Sequence, residues 1–264
     1  MKVRWCGWSD ISSIASCAAV LLTVSSLFLS VMPALMTPVN AAAIIIFSFA
    51  ASWILLTAYR TARQEKTIRY NGKSILIKTG DIFEENHCIV IPVNRCFDTV
   101  VDDVLISSRS IHGQFIKRYF PEPSALDKLL DAKLPDTGKE CTAGKGGKTK
   151  EYPLGTIAPI TIGDRTFILL ALTRFDENNV AGCELSEYCQ AIDRLLEYLN
   201  DNGQGYEVSM PLIGSGLSRL HTEPESVLEL LVTLIKTNGK AYPKQISIIL
   251  KKEALEDIDM GIIN

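Results

Sequence analysis

The strongest constraint in this sequence is a long uncharged stretch near its start. From Ile11 to Tyr59 the chain has no Asp, Glu, Lys or Arg, and the runs 11–32 and 39–59 are mostly apolar. A helix needs about 20 apolar residues to cross a hydrocarbon core about 30 Å thick, and both runs reach that length. We therefore expect two transmembrane helices, joined as a hairpin at the proline-bounded segment 33–38.

Basic residues flank the predicted hairpin and orient it. Lys2 and Arg4 precede the first run, and Arg60 and Arg63 follow the second. Positive charge marks the cytoplasmic side of a membrane, so we expect both termini in the cytoplasm. A cleaved signal peptide is the alternative for the first run. It is disfavoured because the run exceeds a signal core of 7–15 residues and a second span follows.

These features divide the chain into four predicted parts. They are a cytoplasmic N-terminus (1–10), the transmembrane hairpin (11–59), a basic linker (60–66) and a folded domain (67–264). Small polar residues line the predicted spans, including Ser48 and Ser52 at small-xxx-small spacing. They favour either packing within one hairpin or lateral assembly of several, and we expect a homo-oligomer.

Charge and cysteine usage exclude several classes of protein. The net charge of −3 and the pI near 5.7 give no basic surface for nucleic acid. The seven cysteines are odd in number and have no C-x-x-C spacing, which argues against a disulfide framework or a zinc site. We predict no metal ligand and no bound cofactor.

Strand and helix patterns alternate after the hairpin. The predicted strands are Thr67–Tyr70, Ser74–Lys78, Cys88–Val93, Thr156–Ile162, Thr166–Leu172, Glu207–Leu212 and Gln245–Leu250. The predicted helices are Leu105–Phe120, Ser124–Leu134, Leu185–Leu199 and Pro224–Thr237. This order predicts an α/β fold in which helices flank a mixed sheet.

Ligands of such sheets bind beyond the carboxyl ends of the strands, and two loops there stand out. Gly80 and Asp81 follow one strand, where the carboxylate either accepts from a ligand or caps a turn. In the segment 210–218 two glycines surround Ser215, which suits an anion-binding backbone nest as well as a plain tight turn.

These loops, with the strand end Ile91-Pro92-Val93-Asn94, resemble the macro domain, an ADP-ribose-binding fold. With the additional runs Phe97-Asp98-Thr99, His112-Gly113 and Pro211–Leu217, the chain resembles the macro domain of ThsA effectors from the bacterial Thoeris anti-phage system. The transmembrane hairpin matches the type II form. The resemblance implies a macro-domain-like mixed sheet flanked by helices.

The resemblance also implies a function. A partner TIR-domain enzyme would convert NAD into an ADP-ribose-type signal, here histidine-ADP-ribose, and the macro domain would bind it. The effector would then oligomerise in the lipid of the inner membrane, disrupt it and cause abortive cell death. The ADP-ribose derivative is a signal in this scheme rather than a cofactor.

The roles of the site residues follow from the resemblance alone. Asp81 would accept a hydrogen bond from the adenine amino group, and Ile82 would line the adenine pocket. Asn94 would face the distal ribose. Gly214, Ser215, Gly216 and Leu217 would offer backbone N–H groups to the diphosphate, and Leu212 and Ile213 would also contact the ligand. Phe97, Asp98, Thr99, His112 and Gly113 would shape the distal end.

Asn94 marks a departure from hydrolytic macro domains. Those domains follow this position with a second Asn and a run of glycines, whereas here Arg95-Cys96-Phe97 follows. We therefore predict a binder without catalytic residues. A membrane-tethered ADP-ribosyl hydrolase and a scaffold for ADP-ribosylated protein are the alternatives. The glycine- and lysine-rich run 144–149 is not a P-loop, because Thr142 stands where the first glycine is needed.

Overall fold

The computed structural model describes residues 11–31, 37–62, 65–140, 147–175, 181–202, 205–215, 220, 222–238, 245–258 and 260. Two compact units emerge, and each is described by itself. The helix pair contains α1 (Ile11–Val31) and α2 (Pro38–Ala62). The sheet unit begins at Glu65.

The helix pair buries small side chains. The two helices contact each other, and Ala18, Ser48 and Ser52 are at most 1% exposed. The Ser52 hydroxyl donates to the Ser48 carbonyl oxygen one turn earlier, at 2.7 Å, so burial leaves it satisfied. At the start of α2, Thr37 Oγ1 accepts from the backbone N–H of Asn40 (3.2 Å) and caps the helix.

Large apolar side chains cover the outer face of α2, where Ile46 is 70% exposed and Phe47 is 73% exposed. Within the described residues, one helical segment, Asn40–Ala58, is long and apolar enough to cross a membrane, with a mean hydropathy of 2.2. In α1 the apolar segment Ile14–Ser26 is shorter. Both predicted spans therefore stay predictions.

The predicted basic linker is shorter than its assigned range of 60–66. The second helix continues to Ala62, because Arg60, Thr61 and Ala62 extend it without a helix breaker, and β1 begins at Glu65.

The second unit contains an eight-stranded mixed sheet flanked by helices, which confirms the predicted fold class. It also contains a separate two-stranded sheet. The strands are β1 (Glu65–Tyr70), β2 (Lys73–Thr79), β3 (Cys88–Asn94), β4 (Lys139–Glu140), β5 (Lys150–Glu151), β6 (Ile157–Ile162), β7 (Arg165–Phe175), β8 (Ala181–Gly182), β9 (Val208–Pro211) and β10 (Gln245–Leu250). The helices are α3 (Ile111–Tyr119), α4 (Pro123–Lys133), α5 (Leu185–Asn202) and α6 (Pro224–Thr237). Two 3-10 helices are Ile82–Glu84 and Lys252–Glu256.

The strand order across the sheet is β1-β2-β10-β9-β3-β7-β6, with β8 on β7, and β4 and β5 form a separate two-stranded sheet. Strands β2, β10, β9, β3 and β7 are mutually parallel, whereas β1, β6 and β8 are antiparallel to their neighbours. The carboxyl ends of the five parallel strands therefore meet at one edge of the sheet, which is where the predicted site residues lie.

Local sequence explains the start of this sheet. Asn71 and Gly72 have φ values of 44° and 75°, the left-handed pair that a two-residue hairpin needs, so β1 folds back onto β2. Strand β3 is buried on both faces, since the successive residues Ile89 and Val90, which point to opposite faces, are both 0% exposed. The aromatic core lies beside it: the Phe167 ring is 4.9 Å from Phe115 and 4.7 Å from Tyr119.

The third helix begins six residues later than predicted, at Ile111 instead of Leu105. The Asp102 carboxylate accepts from the backbone N–H groups of Val104 (2.9 Å) and Leu105 (2.7 Å), which holds this stretch in turns. Ser110 then caps the helix by accepting from the Gly113 N–H at 2.9 Å. Helical periodicity alone does not reveal these polar turns.

A proline near the end of a strand indicates that the strand leaves the sheet there. Strand β3 instead stays paired with β7 beyond Pro92, as far as Asn94. On its other side it pairs with β9 only at Cys88 and Ile89. The pairing with β9 therefore ends three residues before Pro92, which has no N–H to donate to a neighbouring strand. This split opens the sheet edge at the predicted site.

Candidate ligand-binding site

A cavity of about 510 Å³ lies at the carboxyl edge of the parallel strands. Pro92 and Pro211 line it at the split between β3 and β9. One side is formed by the start of α3 and another by the segment after β10. The remaining lining residues are Arg109, Ser110, Ile111, His112, Leu212, Ile213, Gly214, Ser215, Pro224, Ile249, Lys251, Glu253, Ala254 and Asp257.

The turn after β9 contributes backbone to the cavity. Gly214 has φ +96°, and a Cβ there would lie 2.3 Å from the Leu220 side chain, so the turn requires glycine. The Ser215 hydroxyl donates to the Leu212 carbonyl oxygen at 2.8 Å. Four of the six ligand-binding residues predicted in this loop, 212–215, thus line the cavity, while Gly216 and Leu217 lie outside the described residues.

The amino end of α3 faces the same cavity. Ser110, Ile111 and His112 line it, and Arg109 adds a guanidinium just before the helix. A helix N-terminus presents backbone N–H groups and the positive end of the helix dipole. Together with the Gly214 turn, this side of the cavity has the chemistry of an anion site.

His112 is neutral in the folded protein. Burial lowers its pKa to about 3, and the nearby Lys148 ammonium lowers the pKa in the same direction, while a hydrogen bond that it donates to the Asp98 backbone carbonyl opposes them. The predicted neighbour Gly113 is also buried, and a Cβ there would lie 2.2 Å from the Ser107 carbonyl oxygen. Gly113 therefore sets the approach of α3 rather than contacting the cavity.

Asp81 and Ile82 lie beside the cavity instead of in its lining. The Asp81 carboxylate accepts from the Phe83 N–H (3.0 Å) and pairs with Arg118 Nη2 (2.7 Å). Ile82 is 5% exposed and belongs to the hydrophobic core. The link to the cavity is Gly80, whose Cβ position is 3.8 Å from the cavity-lining Ile249 side chain.

Asn94 organises the loop that follows β3. Its Oδ1 accepts from the backbone N–H groups of Cys96 and Asp98, each at 3.2 Å. Phe97, at φ 50°, is 1% exposed and stacks edge-on against Tyr152 at 5.5 Å. Phe97 therefore packs in the hydrophobic core. Asn94 and Phe97 shape the site by fixing the backbone of the loop after β3.

The buried polar side chains Asp98 and Thr99 anchor a second loop. Asp98 Oδ1 accepts from the Lys148 backbone N–H at 2.7 Å, and Thr99 Oγ1 donates to Asp127 at 2.9 Å. Lys148 Nζ also reaches Asp127, at 2.5 Å. These contacts fasten the end of the lysine-rich loop to α4 and to the loop after β3. Among the described residues, no group of three or more His, Cys, Asp or Glu is placed to hold a metal ion.

Comparison with known proteins identifies the family. The family model "Thoeris protein ThsA, Macro domain" matches residues 75–251. The chain belongs to this family. Thoeris protein ThsA from Bacillus amyloliquefaciens (strain Y2) is 37% identical over 177 residues, which are 65% of this chain and 58% of that relative. The match thus spans less than two thirds of the relative's length.

Solved structures show the same fold for the ThsA-family chain. The Oceanobacillus iheyensis macrodomain with ADP superposes with a TM-score of 0.52 at 15% identity, covering 75% of this chain and 93% of that one. A variant of the same macrodomain with ADPR gives a TM-score of 0.50 at 14% identity, covering 72% and 92%. These superpositions show the macro-domain fold of the ThsA-family chain. At identities this low, they show the fold alone.

Sequence reasoning missed four charged residues on the cavity of this ThsA-family domain. They are Arg109, Lys251, Glu253 and Asp257. The last three follow β10, whose carboxyl end lies at the same edge as the recognised loops. The signal that could have found them is positional, because any polar side chain directly after a buried parallel strand is a candidate ligand contact.

Proposed function

We propose that this protein is a membrane effector of bacterial anti-phage defence whose sheet unit binds an ADP-ribose derivative in the 510 Å³ cavity. The observation that supports this best is the anion-binding side of the cavity, formed by Arg109, the start of α3 and the Gly214 turn. A diphosphate suits such a site, because its charge meets a guanidinium, a helix N-terminus and backbone N–H groups. Family membership agrees with this ligand class.

The proposed ligand is an ADP-ribose conjugate of histidine, produced from NAD by a TIR-domain enzyme. A volume of about 510 Å³ falls within the range of small-molecule sites, roughly 300–1,000 Å³. The apolar lining, which includes Pro92, Ile111 and Ile249, suits a base and sugar rings. Asp81 remains the proposed partner of the adenine amino group, since a carboxylate has about four acceptor sites and two donors now occupy it.

The proposed role is binding without catalysis. The loop after β3 is closed on itself by Asn94 Oδ1, which already accepts two backbone N–H groups. Burial lowers the pKa of His112 to about 3, which makes its imidazole a weak base and favours a structural role over that of a general base. A hydrolase would need an acid, a base or a positioned water near the distal ribose.

The proposed location is the inner membrane, with α1 and α2 as two spans and both termini in the cytoplasm. The exposed apolar face of α2 suits lipid, and the buried Ser48 and Ser52 suit close helix packing. Binding of the signal would drive oligomerisation of the effector, membrane disruption and abortive cell death.

Calorimetric titration of the full chain in detergent micelles tests this proposal. We expect saturable binding of ADP-ribose and tighter binding of its histidine conjugate, with both ligands recovered intact by chromatography. Ser215→Glu places a negative charge on the cavity and should abolish binding, whereas the control Ser186→Glu, at an exposed position in the first turn of α5, should not. Release of products would favour a hydrolase, and failure to bind free nucleotide would favour a scaffold for ADP-ribosylated protein.

A further inference from the structure

The acidic side chains after β10 give the cavity a second chemical character. Glu253 and Asp257 line it from the 3-10 helix Lys252–Glu256 and the residue after it. We propose that these two carboxylates select an adenosine ribose with a free 2′-hydroxyl and reject one with a 2′-phosphate. The site would then accept ligands derived from NAD and exclude those derived from NADP. This inference rests on the proposed function, which supplies the ligand class.

The sheet order places these carboxylates next to the adenosine ribose. From one side to the other, the strands run β2, β10, β9 and β3. Asp81 follows β2, the Gly214 turn follows β9, and Asn94 ends β3. In ADP-ribose the adenine, the adenosine ribose, the diphosphate and the distal ribose are joined in that order. The adenosine ribose therefore corresponds to β10, the strand between those proposed for adenine and diphosphate.

Hydrogen bonds fix the end of β10 in that intermediate position. The Gly80 N–H donates to the Leu250 carbonyl oxygen at 3.1 Å, and the Leu212 N–H donates to the Ile249 carbonyl oxygen at 3.3 Å. The exits of β2 and β9 thus hold the end of β10 from both sides.

Charge on the two sides of the cavity sets the preference. The segment after β10 contributes Lys251, Glu253 and Asp257, two negative charges against one positive, whereas the α3 side contributes Arg109. A ribose hydroxyl donates a hydrogen bond to a carboxylate, just as an acidic residue holds the ribose 2′-hydroxyl in NAD-binding Rossmann folds. A phosphate monoester adds about −1.5 to −2 charges, which two nearby carboxylates repel.

Competition between two ligands on the full chain in micelles tests the inference. We expect ADP-ribose to bind at least about tenfold more tightly than ADP-ribose 2′-phosphate at low salt. The double variant Glu253→Gln/Asp257→Asn should reduce that ratio of affinities to about twofold. The main cause should be tighter binding of ADP-ribose 2′-phosphate. The control Glu229→Gln removes one exposed charge from α6 and should leave the ratio unchanged.

Salt provides an independent readout. Glu253 and Asp257 are exposed at the rim of the cavity, so the wild-type ratio should narrow as ionic strength rises. Equal affinity of the wild type for both ligands would overturn the inference and leave the proposed function intact. Binding of neither ligand would instead overturn the proposed function, and with it the basis of the inference.

Discussion

The helix pair and the sheet unit bury opposite kinds of side chain. In α2 the buried positions include Ser48 and Ser52, while Phe47 is 73% exposed. In the sheet unit, Phe115 and Phe167 are 0% exposed. Water drives apolar side chains inwards, whereas lipid removes that drive and leaves close packing of small residues to join helices. The proposed membrane location of the helix pair accounts for this contrast.

The largest expected effect distinguishes a buried phenylalanine from an exposed one. Phe167→Ala should lower the free energy of unfolding of the sheet unit by about 3–5 kcal/mol, because the ring packs against Phe115 and Tyr119 and its loss leaves a cavity. Phe47→Ala on α2 should leave that free energy unchanged. Urea-dependent pulse proteolysis of the full chain in micelles measures both, and similar losses from the two variants would show that the two phenylalanines contribute alike to stability.

A charge on an exposed apolar position tests what surrounds it. Ile46 and Val104 are 70% and 67% exposed, one on α2 and the other in the sheet unit. Ile46→Asp should cost about 3 kcal/mol in membrane insertion, whereas Val104→Asp should cost almost nothing in water. The measurement is the fraction of protein that resists extraction from membranes by alkaline carbonate. Full retention of the Ile46 variant would mean that this face does not contact lipid.

Acid should destabilise only the sheet unit, since the stretch from Ile11 to Tyr59 has no Asp, Glu or His. The pKa of His112 is lowered to about 3 when folded and lies near 6.5 when unfolded. Between these pH values the unfolded state binds one proton more, so the free energy of unfolding falls with falling pH, by about 1.4 kcal/mol per unit from this group.

His112→Gln isolates that contribution. Glutamine keeps an N–H donor for the Asp98 carbonyl but does not titrate, so stability between pH 6.5 and 4 should depend less on pH. Urea unfolding at several pH values measures the slope. An unchanged slope would show that His112 is already protonated in the fold.

The smallest expected effect compares two serines. Ser110 caps α3 through the Gly113 N–H, so Ser110→Ala should destabilise the sheet unit by about 1 kcal/mol. Ser52 donates only to a carbonyl that its own helix already uses. Ser52→Ala should therefore change the free energy of unfolding by less than about 0.5 kcal/mol and leave the fraction extracted from membranes unchanged. Thermal unfolding in micelles compares the two variants, and a larger loss for Ser52→Ala would reverse the expected order.

Much of the fold was predictable because its signals are local. The Asn71-Gly72 turn, the continuous apolar run of β3 and the single apolar face of α5 each specify their own element. The start of α3 was not predictable from periodicity, because Asp102 and Ser110 set it through polar contacts with the backbone.

The site was only partly predictable. Loop sequences indicated which strand ends bear it, and residues 212–215 and His112 do line one cavity. The Arg118–Asp81 ion pair joins residues 37 positions apart, and Glu253 and Asp257 reach the cavity only because β10 is inserted between β2 and β9. Such neighbours depend on tertiary structure, which no short motif records.

Dye release from liposomes that contain the full chain is the measurement that links the ligand to the membrane. We expect release when the histidine conjugate of ADP-ribose is added, little release without it, and none from the Ser215→Glu variant. Release that is independent of the ligand, or a ligand that binds without causing release, would contradict the claim that binding in the sheet unit acts on the membrane.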